Sequence, residues 1–193
     1  MFRPVFFILC LLFVMEALQA ETNQEVAVSD PTPNDTTTIQ LSVGDTLDSF
    51  MLPRFPDRTY VALRDYVGEP RLEQMNQERK PVIISFFASW CIPCREEIPE
   101  LEKLADKWGD EVQVFLISVG DRPQQLQNWI ERYPTSLPIL MDPYSVTSVD
   151  RYGIASIPTL VLLSEEAEIR YLAVGYEEGN IQDLEREVQK LVE

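Results

Sequence analysis

Two stretches, "PVIISFFAS" (81–89) and "EVQVFLISVG" (111–120), are continuous apolar runs of strand length, the pattern of strands buried on both faces of a mixed or parallel sheet. Between them the rhythm changes. Ile98, Leu101, Leu104, Ala105 and Trp108 recur at helical spacing, and Gly109 supplies a stop. Further on, "QQLQNWIERY" (124–133) reads as a helix, "LPILMD" (137–142) as a short strand, and "SVTSVDRYG" (145–153) as a helix ending at Gly153. "TLVLLSE" and "EIRYLAVGY" read as paired strands, and "EGNIQDLEREVQKLVE" (178–193) as an amphipathic helix with Ile181, Leu184, Val188 and Leu191 on one face. Ahead of these elements, "LSVGDTLDSFMLPRFPDRTYVALRDYV" (41–67) has short β-type segments punctuated by Pro, Gly and Asp, which predicts an N-terminal hairpin. "GEPRLEQMNQERK" (68–80) is polar and predicts a short helix or loop. The alternation implies one α/β domain over residues 41–193, a sheet with helices on both faces.

The first forty residues follow different rules. "MFRPVFFILCLLFVMEALQA" has a basic residue at Arg3, an apolar run from Val5 to Met15 and a small residue at Ala20, the layout of a secretory leader over residues 1–20. The run is shorter than the roughly 20 residues that span a bilayer, so a cleaved leader is favoured over an anchor. Leu18 is an imperfect fit to that cleavage site, and an uncleaved leader would leave the chain membrane-anchored. Cys10 lies inside the apolar run, with no small residue before it, and reads as leader hydrophobe. Residues 21–40 are polar, rich in Pro, Thr, Asn and Asp and without periodicity, and read as a flexible linker. A chain of 193 residues accommodates this leader and one domain, not two.

Composition removes several function classes. Thirty-two acidic residues against sixteen basic ones give a net charge of −16, which repels phosphate backbones at long range and argues against nucleic acid as a partner. There is no histidine in the chain, so histidine general bases, Cys-His nucleophiles and His-ligated metals are excluded.

Once the leader is removed, the remaining cysteines are Cys91 and Cys94, in "FFASWCIPCREEIPE" (86–100). A disulfide stabilises mainly by restricting a long loop of unfolded chain, and this loop is too small for a staple. Zinc asks for about four ligands, and there is neither a second C-x-x-C nor a histidine to complete a site. The pair falls at a strand-to-helix junction, where unpaired N–H groups and the helix dipole favour a thiolate at Cys91. Cys91 is thus expected to attack, and the more buried Cys94 to resolve the mixed disulfide. The pair is its own redox group, and no further cofactor is called for.

"FFASWCIPCREEIPEL", followed by "YGIASIPTLVLL", resembles the thioredoxin superfamily, and more narrowly its extracytoplasmic TlpA, ResA and DsbE-like thiol:disulfide oxidoreductases, over about residues 41–193. The resemblance implies a thioredoxin-like fold: a central mixed sheet with helices on both faces, an N-terminal β-hairpin extension and an extra αβ insertion. Trp90, Cys91, Pro93 and Cys94 match the active-site motif, Pro158 the cis proline that faces it, and Pro99 the proline inside the following helix. The backbone of Ile157 would then pair with an extended substrate. Ordinary thioredoxins have a buried aspartate where this chain has Ser85, whereas ResA-like members have a glutamate where Glu97 stands. Glu97 is therefore expected to exchange a proton with Cys94 and to raise nearby thiol pKa values, its bland alternative being a solvated helix residue.

The implied partners are protein thiols and disulfides as substrate and a membrane thiol-reducing protein that resets the pair, with the chain itself a monomer. Direction stays open. Ile92 stands between the cysteines where ResA has a charged residue, and the same residues could serve a reductant, for example of apocytochrome c, or an oxidant that donates its disulfide. A peroxiredoxin is disfavoured because no P-x-x-x-T-x-x-C pattern surrounds Cys91, and a Sco-type copper chaperone because of the cysteine spacing and the missing histidine. A non-catalytic module would need a lost cysteine or proline, and neither is lost.

Overall fold

Strand β3 (Val82–Phe87) is buried at every position, as its unbroken apolar run requires. It pairs parallel with β4 (Gln113–Val119) on one side and antiparallel with β6 (Thr159–Leu163) on the other. The computed structural model describes residues 40–68 and 79–193. The hairpin of β1 (Met51–Phe55) and β2 (Tyr60–Ala62) joins the sheet through β5 (Ile139–Asp142), and β7 (Ile169–Val174) closes the far side. The resulting order is β2-β1-β5-β4-β3-β6-β7, a mixed sheet of thioredoxin-like type carrying the hairpin extension. The residues expected to form a leader and a linker, up to residue 39, and most of the polar segment 68–80 lie outside the described residues.

Helices α1 (Cys94–Trp108) and α2 (Pro123–Arg132) are the crossovers of β3-α1-β4 and β4-α2-β5. Right-handed crossovers that step the same way across a sheet land on the same face. Ile83 and Phe87 accordingly pack with Leu101 of α1, Leu126 and Trp129 of α2, and Leu184 and Val188 of α3 (Glu178–Val192). The alternate residues Val82, Ile84 and Phe86 face the other way, against Leu47, Phe50, Leu63 and Tyr152. Helical structure thus covers both faces, with different kinds of helix. Among the described residues the three α-helices lie on one face, while the opposite face holds the 3-10 turn Leu63–Asp65 and the residues that follow a π-helical turn, Val146–Arg151.

That π-helical turn stands where periodicity suggests an ordinary helix ending at Gly153. Ser145 enters it with φ 57°, and the buried Asp142 carboxylate accepts the Ser148 N–H at 2.7 Å and its hydroxyl at 2.8 Å. A side-chain cap, not an apolar stripe, organises the segment. Among the described residues no helix is long and apolar enough to cross a membrane.

Candidate active site

The chain leaves β3 at Phe87 and turns at Ala88, whose carbonyl accepts the Cys91 N–H at 3.0 Å. Cys91 and Cys94 are joined in a disulfide with their Cα atoms 5.4 Å apart, an ordinary bridge separation. Pro93 caps α1 with φ −61°, pre-set for the helix, and Cys94 is its first residue. The Cys94 N–H donates to the Cys91 sulfur at 3.3 Å, so the open end of the helix meets the sulfur of the cysteine expected to attack. In the disulfide both residues are enclosed, Cys91 at 3% exposure and Cys94 at 0%, a smaller asymmetry than expected for attacker and resolver. What is exposed lies on either side of Cys91: Trp90 at 67% and Ile92 at 66%, with Pro93 beside them.

Glu97 is wholly buried on the same face of α1 as Cys94, Ile98 and Leu101. This excludes the solvated-helix alternative. Its Oε1 accepts the hydroxyl of Ser85 at 2.5 Å, and Oε2 has no partner among the described residues. Burial holds the proton on the carboxyl and raises its pKa to about 7, against the opposing effect of the Ser85 hydrogen bond. Ser85, itself fully buried in mid-strand, stands where a carboxylate is the rule in thioredoxins and here serves a carboxylate from the facing helix.

Another buried carboxylate, next to the redox loop, carries no signal of its own in the sequence. Asp121, just past β4, is 1% exposed and accepts the Ser89 N–H at 2.7 Å, the Ser89 hydroxyl at 2.7 Å and the Ser118 hydroxyl at 2.8 Å. It ties the end of β4 to the residue immediately before Trp90, so the loop that presents Cys91 is fixed from the neighbouring strand. Only its small-residue partners, far apart in sequence, could have marked it.

The Ile157–Pro158 bond is cis, and Ile157 packs against the cluster that contains both cysteines. The Pro158 carbonyl accepts the Gly175 N–H at 2.8 Å, while neither backbone group of Ile157 has a hydrogen-bond partner among the described residues. Trp90, Cys91 and Pro93 lie in the loop after β3, Cys94 opens α1 with Glu97 one turn further on, and Ile157 packs against them from the segment that leads through Pro158 into β6. Pro99 sits inside α1, exposed. Beside the pair, the Arg95 guanidinium lies 4.8 Å from the centre of the Tyr133 ring and donates to its hydroxyl at 3.2 Å. Among the described residues no cluster of three or more His, Cys, Asp or Glu side chains is arranged to hold a metal ion.

What the fold and the pair define is a thioredoxin-like thiol–disulfide oxidoreductase. The chain belongs to the AhpC/TSA family, whose model matches residues 43–172. It is 30% identical over 131 residues to the thiol-disulfide oxidoreductase ResA of Halalkalibacterium halodurans, covering 67% of this chain and 72% of that one. Among solved structures, a protein of Chlorobium tepidum described as a thiol:disulfide interchange protein of the DsbE type superposes with a TM-score of 0.68 at 22% identity, covering 80% of this chain and all of that one. StoA from Bacillus subtilis superposes with a TM-score of 0.55 at 22% identity, covering 72% and 96%.

Proposed function

We propose that the protein is an extracytoplasmic reductant of protein disulfides, delivered by its N-terminal leader and working through Cys91 and Cys94. The observation that carries this reading is Glu97, a buried carboxylate on the resolving-cysteine face of α1 that titrates near neutrality. A negative charge there disfavours thiolate in the reduced pair, and a pair whose reduced form is not stabilised gives up its electrons readily.

In the reduced protein the Cys91 thiolate attacks one sulfur of a substrate disulfide. A Cys91–substrate S–S bond forms, the substrate S–S bond breaks, and the departing thiolate takes a proton. Cys94 then passes its proton to Glu97 and attacks the Cys91 sulfur. This releases the second substrate thiol, which is protonated in turn, and re-forms the Cys91–Cys94 disulfide. Two electrons and two protons pass to the substrate, and a membrane dithiol protein restores them to the pair. Trp90, Ile92 and Pro93 supply the apolar docking surface, and the unpaired Ile157 backbone takes up an extended substrate strand beside Pro158. The disulfide of apocytochrome c is one client that fits this scheme. The chain works as a monomer.

A second reading, an oxidant that donates its disulfide, is favoured by one observation: the Cys94 N–H and the helix end stabilise a Cys91 thiolate. Cys94→Ser tests the exchange mechanism common to both. With a protein disulfide such as insulin, the variant should accumulate a mixed disulfide through Cys91, and Cys91→Ser should not. Absence of the adduct in both would remove the exchange reading.

A further inference from the structure

A cleft of about 780 Å³ opens where the β1–β2 hairpin meets the start of α2 and the end of β5. Arg58 and Tyr60 come from the hairpin, Arg122 from the residue capping α2, and Tyr144 from the turn beyond β5, with prolines stiffening all three segments. No carboxylate lines it, in a chain with twice as many acidic as basic residues. The acids nearest in sequence face other partners. Asp57 accepts from Thr59 and pairs with Arg54, Asp121 is buried with its two oxygens directed to Ser89 and Ser118, and Asp142 is buried and accepts from Ser148. Neither Arg58 nor Arg122 has an ion-pair partner among the described residues, where the paired arginines are Arg54, Arg151 and Arg186. The two tyrosines are held in water, Tyr60 at 68% and Tyr144 at 85% exposure.

The cleft opens at the end of the sheet that carries the redox loop: Arg122 follows β4, Tyr144 follows β5 and Cys91 follows β3, three strands that run parallel. Gly120 and Arg122 in its wall flank Asp121, which holds Ser89 next to Trp90 and Cys91. A segment seated in the cleft therefore lies on the same end of the sheet as the pair.

We propose that the cleft binds a carboxylate-bearing segment of the polypeptide whose disulfide is exchanged at Cys91–Cys94; this rests on the exchange reading above. Guanidinium forks match carboxylates in a bidentate fashion, and arginine and tyrosine are the side chains that most often carry interface energy. The net charge of −16 repels a long, uniformly charged polyanion. At physiological salt, however, screening over about 8 Å confines that repulsion, so a short acidic segment senses the two arginines and little else. The cleft then reverses locally the preference for basic partners that the whole surface imposes.

The test uses the full chain and two synthetic peptides with the same disulfide, one with a glutamate-rich flank and one with a lysine-rich flank, at an ionic strength of about 0.15 M. The protein should show a KM about five- to tenfold lower for the glutamate-rich peptide, the effect of two partly exposed arginine–carboxylate pairs. Arg58→Ala combined with Arg122→Ala should bring the ratio to one or below. Preference for the lysine-rich peptide, or a glutamate preference that survives both substitutions, overturns the proposal. So does a shift in a monomer–dimer equilibrium without a change in the ratio, which would make a second copy the occupant. Turnover of a small neutral disulfide by the unaltered protein is scored separately. Its failure sinks the exchange reading, whereas normal turnover without discrimination between the peptides sinks the cleft alone.

Discussion

Replacing Glu97 by Gln keeps the shape of the side chain and an oxygen for the Ser85 hydroxyl, but removes the proton that titrates. In the native protein burial raises this carboxyl from its ordinary 4.5 to about 7, so between these values the folded state holds a proton that the unfolded chain has released. Stability from this group is complete below pH 4.5 and is lost as pH rises through 7. At about 1.4 kcal/mol for each pH unit, the loss is about 3 kcal/mol. The oxidised form is the one to measure, because its disulfide cysteines do not titrate in the window. Urea unfolding of the native protein and of Glu97→Gln, at steps from pH 4 to pH 8.5, should give two curves whose difference grows by about 3 kcal/mol in favour of the variant and then levels off. Titration of the other carboxylates cancels in that difference. Curves that stay parallel across the window would refute the argument that burial, uncompensated at Oε2, governs this group.

Two further outcomes follow from the same interior. Ser85→Ala removes the one hydrogen bond that lowers the Glu97 pKa, so the pH profile of mixed-disulfide resolution should move upward by about one unit, and Ser85→Thr should restore much of it. An unmoved profile would leave Ser85 a packing residue only. Asp121→Ala leaves the Ser89 N–H and two hydroxyls without their acceptor, and should cost about 2 to 4 kcal/mol in urea unfolding together with slower exchange at Cys91.

The strands were legible because burial on both faces erases alternation: β3, β4 and β6 are apolar at nearly every position, so each announces itself without its neighbours. The stripes of α2 and α3 and the Pro-Asp-Arg turn of the hairpin were legible for equally local reasons. The face on which each helix packs was not, because it follows from strand order: β3 lies between β4 and β6, and both crossovers step toward β5. The π-helical turn was hidden for a related reason, since Asp142 fixes it through hydrogen bonds that carry no periodicity. In the site, the cysteine pair was marked by its spacing, and Glu97 by the resemblance to ResA-like proteins together with its place three residues after Cys94. Ser85 with Glu97, and Asp121 with Ser89, meet only across the sheet, and a serine in a strand or an aspartate in a turn looks ordinary until the partner is seen.

The midpoint potential of the Cys91–Cys94 pair, measured by equilibration with dithiothreitol and with glutathione at pH 7, decides the direction of electron flow. A value below about −200 mV, in the range of reducing thioredoxin-fold proteins, is predicted. A value near −120 mV, the strongly oxidising end, would contradict the account and make the protein a donor of disulfides.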